Sequence, residues 1–293
     1  MSQGVEFVAE VSSNHNRDLA RSLRFIEEAS RIGCSAVKFQ LFKIEELFAL
    51  EVLERKPELR ERKKWELPIE FLPKLSSKAH ELGLKFGCTP FYLKAVEELA
   101  PHVDFLKIAS YELLWNDLLQ ACAQSGKRVI LSTGMATMDE IKSAHQVLQR
   151  SGAKDIVLLH CTSAYPTPAD QSNLSAIETI RKECGCPVGW SDHTVSEAVI
   201  LRAIHKYGAA VVEFHLDIDE QGVEHKFGHN WHPDQMKRVI DNVRVGFQAD
   251  GDGRKAPVPA ELDDRDWRAD PSDGLRPFKH VRRKIELELP KFD

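Results

Sequence analysis

Short apolar runs rich in β-branched residues recur along the chain, separated by longer segments in which apolar positions repeat with a helical period. The runs are VEFVAEV (5–11), SAVKFQ (35–40), LKFGCTP (84–90), DFLKIAS (104–110), RVILSTG (128–134), DIVLLHC (155–161), PVGWSD (187–192) and AAVVEFHL (209–216). Between and after them, 18–32, 68–82, 138–150, 196–206 and 233–247 carry the helical pattern. Several of these segments follow Asp, Ser or Thr, whose side chains can accept from the free N–H groups of a first turn. Gly126, Gly152 and Gly208 fall between a helix and the next strand, where a left-handed cap belongs. Strands apolar on both faces, each followed by a helix, predict an α/β protein: a closed parallel (β/α)8 barrel of the TIM type with a C-terminal extension. A doubly wound open sheet is the alternative. It ordinarily carries a glycine-rich phosphate loop after its first strand, and here that place holds SSNHNRD. The barrel is assigned to 1–248 and a C-terminal arm to 249–293.

A barrel of this kind keeps its chemistry at the C-terminal strand ends and its stabilising contacts at the other face. The strand ends here are polar: Glu10; Lys38 and Gln40; Thr89; Lys107, Ser110 and Glu112; Ser132; His160, Thr162 and Ser163; Ser191 and His193; Glu213 and His215. Strands seven and eight are neighbours, about 4.8 Å apart. Their terminal histidines, His193 and His215, therefore face one mouth and can share a divalent cation. Lys38, Lys107 and the hydroxyls supply the donors that a phosphate or carboxylate requires. The plainer alternative has the lysines reach the rim and pair with Glu10 or Glu112. A cation beside an anion cradle suits a doubly charged substrate reacting with a polarised carbonyl.

Bulk composition narrows the class further. A net charge of −5 argues against nucleic acid as a partner. No apolar run approaches the ~20 residues of a membrane span, and MSQGVEFVAE enters a strand without the pattern of a signal peptide. Six scattered cysteines without a CxxC pair fit free thiols in a reducing cytoplasm. CGC at 184–186 precedes strand seven, hence lies at the opposite face, and has no further ligands nearby for zinc.

Nine motifs in order, AEVSSNHN, AVKFQLFK, CTPF, LKIASYE, VILSTGMAT, LLHCTSAYPTP, VGWSDHT, VVEFH and GVEHK, resemble the series of the sialic acid (N-acetylneuraminate) synthase family across about residues 7 to 245. The resemblance implies condensation of phosphoenolpyruvate with an N-acylated aldose, giving a 2-keto-3-deoxy sugar acid and phosphate. It implies Mn2+ or Mg2+ on His193 and His215. Phosphoenolpyruvate contacts map to Lys38, Thr89, Lys107, Ser110, Ser132, Ser163 and Ser191, and acceptor contacts to Gln40, Glu112, Tyr165 and Glu224. Glu10 matches the acid of the first motif, with a role in activating water or orienting the acceptor. Glu10, Lys38, Lys107 and Glu112 form the implied catalytic set.

The chain also departs from that pattern. Phe214 stands where the family has Lys, and Glu224 where it has Asp. HKFGHNWHP follows, with His225, His229 and His232 read as loop surface groups, or alternatively as groups shaping the acceptor site. Family members continue into a small antifreeze-like domain that completes the partner's acceptor site in a swapped dimer, which leaves a homodimer open as the assembly. Here the chain stops at Asp293, and the arm after 248 is too short for that domain. The turn-rich WRADPSDGLRP suggests an ordered arm docked near a barrel mouth, with an acceptor other than N-acetylmannosamine. The long segment 43–66 is expected to act as a lid, its charge run forming a solvated helix face. Two other functions fit the barrel: a Schiff-base aldolase using Lys38 or Lys107, and a non-catalytic sugar-phosphate sensor.

Overall fold

The structure, a computed structural model, describes residues 4–288. Eight parallel strands close into a barrel in chain order: β1 (Glu6–Glu10), β2 (Ala36–Leu41), β3 (Lys85–Pro90), β4 (Phe105–Ile108), β5 (Arg128–Ser132), β6 (Ile156–Cys161), β7 (Val188–Asp192) and β8 (Val211–His215), with β8 pairing back onto β1. The helices that follow them in turn are Leu19–Arg31, Leu72–Glu81, Leu93–Leu99, Asn116–Gln124, Met138–Arg150, Ala176–Cys184, Glu197–His205 and Pro233–Ala249. This is the TIM barrel that the hydrophobic pattern predicts.

Local signals set the helix ends. The Asp18 carboxylate accepts from the Arg21 N–H at the first helix, and Thr137 and Glu140 cap each other's backbone at the fifth. Gly126, Gly152 and Gly208 all lie at positive φ, as the caps before their strands require. The helical pattern over 68–82 begins as a 3-10 turn, Ile69–Phe71, and becomes α-helical at Leu72. Pro73 fits that first turn, where its missing N–H costs no bond.

Side chains alternate across each strand, and that alternation builds both the core and the site. Val8, Ala36, Phe105, Ile130, Val157, Leu159 and Val211 form the interior of the barrel. Their neighbours Phe7, Val37, Phe86, Leu106, Leu158, Trp190 and Phe214 pack outward in the core shared with the helices. Gly87 and Gly189 occupy inward positions for want of space. A Cβ on Gly87 would lie 2.1 Å from the Phe105 ring, and one on Gly189 would lie 2.2 Å from the Val211 carbonyl oxygen.

The described residues form two compact units that divide between Phe247 and Gln248. In the second, WRADPSDGLRP is built around Asp270, whose carboxylate accepts from the Ser272 N–H and hydroxyl and from the Lys279 N–H. The helix Lys279–Glu288 follows it. Cys184 closes the helix before β7 and Gly185 adopts the left-handed cap, so the cysteine pair lies at the strand's N-terminal end. Among the described residues no helix is long and apolar enough to cross a membrane.

Candidate active site

The inward row of each strand continues past the apolar layers into polar groups. Glu10 of β1 stands in register with Lys38 on one side and His215 on the other, and Ser191 with Cys161 and Glu213. The result is a cavity of about 620 Å3 at the C-terminal face. It is lined by Glu10, Lys38, Gln40, Thr89, Lys107, Ser110, Glu112, Ser132, Tyr165, Ser191, His193, His215 and Glu224. Ser163 stands beside it, against Gly134 and Ser110: a Cβ on Gly134 would fall 2.2 Å from the Ser163 hydroxyl. All fourteen residues to which the family resemblance gives a role thus gather around one opening.

One half is cationic. Lys38 and Lys107 are each only 2% exposed. Lys38 does pair with Glu10, but inside the barrel rather than at its rim. Glu10 also accepts from the Ser12 N–H at 2.6 Å. Lys107 donates to the Ile108 carbonyl at 2.9 Å and lies 3.8 Å from Glu213, which accepts from the Ser191 hydroxyl at 3.3 Å. Burial draws the Lys38 pKa down to about 8, with Lys107 acting in the same direction and Glu213 opposing it. Burial would raise the Glu213 carboxyl, but Lys107, Lys38 and the two histidines outweigh it and hold the group below its ordinary range. Burial lifts Glu112 to about 7 against the pull of Lys107. The hydroxyls of Thr89, Ser132 and Ser163 are buried without a partner among the described residues. Each such group costs about 1–3 kcal/mol unless something accepts or donates to it.

The other half is imidazole-rich. His193 Nδ1 lies 2.9 Å from the Thr162 carbonyl oxygen, a bond it can only donate, which leaves Nε2 free as a ligand. His215 Nδ1 lies 2.9 Å from Glu224. Burial, reinforced by His229 and His193, takes the His215 pKa down to about 4 despite Glu224, so the ring is neutral at pH 7. With Nδ1–H donated to the carboxylate, its Nε2 lone pair is also free, the arrangement typical of metal-binding histidines. The two rings lie 5.4 Å apart, and Tyr165 packs 4.2 Å from His193. These donors fit a divalent cation.

The structure corrects several expectations. His160 does not enter the mouth. Its alternate parity turns it outward, where it bonds the Ser172 carbonyl and packs on Trp190, and Cys161 takes the inward place. Thr162 contributes its carbonyl to His193, while its hydroxyl bonds Gln171. Of the three loop histidines only His225 and His232 are solvent-facing. His229 is 3% exposed and lines the cavity. Among the described residues Glu112 has no lysine partner within ion-pair distance, although Lys107 acts on it electrostatically. Segment 43–66 holds two short helices, Ile44–Leu47 and Leu50–Arg55, then a 3-10 stretch over Pro57–Trp65. Its charge run is largely solvated as expected, with no residue of Pro57–Trp65 buried, and the exposed Arg62 also stacks on Phe48 and Trp65 at the edge of the cavity.

The NeuB family model matches residues 25–255. The chain belongs to the NeuB family. It is 34% identical over 269 residues to N,N'-diacetyllegionaminic acid synthase of Campylobacter jejuni, covering 87% of this chain and 80% of that one. It is 28% identical over 268 residues to N-acetylneuraminate-9-phosphate synthase of Mus musculus, covering 87% and 74%. The solved N-acetylneuraminic acid synthetase of Leptospira borgpetersenii, in complex with citrate, superimposes with a TM-score of 0.78 at 31% identity over 90% of this NeuB-family chain and 91% of its own. A truncated 3-deoxy-D-arabino-heptulosonate 7-phosphate synthase of Thermotoga maritima shares the fold, with a TM-score of 0.67 at 17% identity.

Proposed function

We propose that the chain condenses phosphoenolpyruvate with an N-acylated aldose to give a 2-keto-3-deoxy sugar acid and phosphate. Membership of the NeuB family and the sugar-acid synthases among its relatives support a reaction of this class. The observation that carries it is one cavity with two buried lysines and three partnerless hydroxyls facing a cluster of imidazoles. Lys38, Lys107, Thr89, Ser110, Ser132, Ser163 and Ser191 hold the phosphate and carboxylate, neutralising charge with donors fixed before the substrate arrives. Gln40, Glu112, Tyr165 and Glu224 hold the acceptor. A divalent cation, Mn2+ or Mg2+, held with His193 and His215 would supply Lewis-acid polarisation of the acceptor aldehyde. C3 of phosphoenolpyruvate forms the new bond to the aldehyde carbon, water adds at C2, and the C2–O bond breaks to release phosphate. Glu10, beside Lys38, orients the acceptor or that water, and Glu112 near neutrality is suited to exchanging a proton.

Two other readings remain distinct. The depressed pKa of Lys38 also suits a Schiff-base aldolase. Borohydride with pyruvate would trap such an enzyme covalently and leave a phosphoenolpyruvate synthase unlabelled. A non-catalytic sugar-phosphate sensor would bind without turnover. The decisive assay is phosphate release from phosphoenolpyruvate across a panel of N-acylated aldoses with and without Mn2+. Release that needs both an aldose and the cation is expected. No release with any aldose would reject the proposed function.

A further inference from the structure

The cavity holds one histidine that nothing above employs. His229 is 3% exposed, and neither ring nitrogen has a hydrogen-bond partner among the described residues. Its Nε2 lies 3.6 Å from Glu224 Oε2, the oxygen that His215 Nδ1 approaches at 2.9 Å, and its ring centroid lies 4.6 Å from that of His215. One ligand atom each from His215, Glu224 and His229 lies within 4.8 Å of the others. The other histidines of the same loop behave differently. His225 is 3.7 Å from Asp217 and His232 is 3.8 Å from Glu220, and both reach solvent.

The loop is also held in place around this trio. Trp231 Nε1 donates to Asp192 Oδ2 at 2.9 Å, and the other oxygen of that fully buried carboxylate accepts from Trp190 Nε1 and the Thr194 hydroxyl. The Trp231 N–H donates to the His215 carbonyl, and the Trp231 carbonyl accepts from Asp217. Glu224 is fixed by the Ser12 hydroxyl at 2.5 Å and by its own N–H donating to Asn14 at 3.0 Å. A buried imidazole two residues from such an anchor does not wander. Leaving it unpartnered costs free energy that a ligand can recover.

We infer that His229, whose ring centroid lies 6.2 Å from that of His193, is a further ligand of the divalent cation, joining His193 and His215 in a set of three imidazoles beside Glu224 that selects a first-row transition cation over Mg2+. The inference deepens the proposed function, since it concerns the cation of the same reaction. Imidazole suits transition ions, whereas Mg2+ favours oxygen ligands and retained water.

The test is calorimetric titration of the metal-stripped protein with Mn2+, Co2+ and Mg2+, on the wild type, His229→Ala, His229→Gln and His225→Ala. Both His229 variants should bind Mn2+ at least about tenfold more weakly, the smallest loss typical of disturbing a metal site. His225→Ala should match the wild type, and the wild type should prefer Mn2+ and Co2+ to Mg2+. If His229→Ala does not fold, His229→Gln, which keeps side-chain volume without an imidazole, decides alone. Unchanged Mn2+ affinity in the His229 variants would overturn the inference. So would an equal loss in His225→Ala, or tighter binding of Mg2+ than of Mn2+. The assignment separates from the catalytic proposal: weakened metal binding without any phosphate release by the wild type keeps His229 as a ligand and rejects the reaction. Phosphate release with unaltered metal affinity does the reverse.

Discussion

The two ends of this barrel handle buried polarity in opposite ways. At the N-terminal face the inward row begins with Glu6, Lys85 and Arg128, and the carboxylate serves both cations: Glu6 pairs with Arg128 at 2.8 Å and with Lys85 at 3.4 Å, which leaves Arg128 Nε without a hydrogen bond among the described residues, 3.5 Å from Asp155. Beside them Asp104 accepts from the Phe86 N–H at 2.7 Å and pairs with His80 at 2.8 Å. At the C-terminal face β3 and β5 end in Thr89 and Ser132, whose hydroxyls find no partner among the described residues. Lys38 and Lys107 are more deeply buried there than any floor lysine, and their counter-charges, Glu10 and Glu213, are themselves cavity-lining. One end pairs its charges within the chain; the other leaves groups that, under the proposed function, an anion and a cation would engage.

The sharpest break of that contrast is at the imidazoles. His193→Ala or His215→Ala should lower cation-dependent turnover by roughly hundredfold or more, through loss of Lewis-acid assistance, while circular dichroism and melting stay close to wild type. Either variant, folded and metal-titrated yet turning over at the wild-type rate, would show that the strand-end pair is not the metal site. Next in size are the lysines. Lys107→Ala and Lys38→Ala should each weaken phosphoenolpyruvate by about ten- to hundredfold, the worth of a charge-assisted hydrogen bond. Unchanged apparent affinity in both would remove the anion cradle from the account.

The floor should respond in the opposite sense. Arg128→Ala should cost about 1–3 kcal/mol of stability by urea denaturation at pH 7, since it strips the closer of two partners from a part-buried carboxylate. It should leave kcat/KM alone. Burial would raise the Glu6 carboxyl, but Arg128 and Lys85 outweigh it and hold it below its ordinary value. The stability it confers is therefore present above the unfolded carboxylate pKa, about 4.5, and is lost as pH falls through the lower folded value. The gap between wild type and Arg128→Ala should accordingly narrow when the denaturation is repeated near pH 3.

Much of this was legible in the chain because alternation carries it. Once eight runs are read as strands of one barrel, every second residue must point inward, and the last inward residues form the mouth. Followed strictly, that rule picks Cys161 over His160 and keeps Glu213, two residues before His215, on the inward row. A shift of one position reverses the face. His229 had no such signal. Its burial comes from Trp231 reaching Asp192 on another strand, a contact between residues 39 apart that no local pattern encodes. Arg62 was hidden in a charge run for a similar reason, because its partners Phe48 and Trp65 belong to a small apolar cluster of the segment's own.

The central claim is that the hydroxyls at the mouth stand unsatisfied for the sake of a ligand. The direct measurement is the melting temperature of wild type and of the Ser132→Ala, Ser163→Ala double variant, with and without phosphoenolpyruvate. Removing groups that have no partner should leave the free protein at least as stable as wild type. Phosphoenolpyruvate should raise the wild-type melting temperature by mass action and raise that of the variant far less. A variant that is clearly less stable without ligand, yet gains as much from phosphoenolpyruvate as the wild type does, would contradict the account.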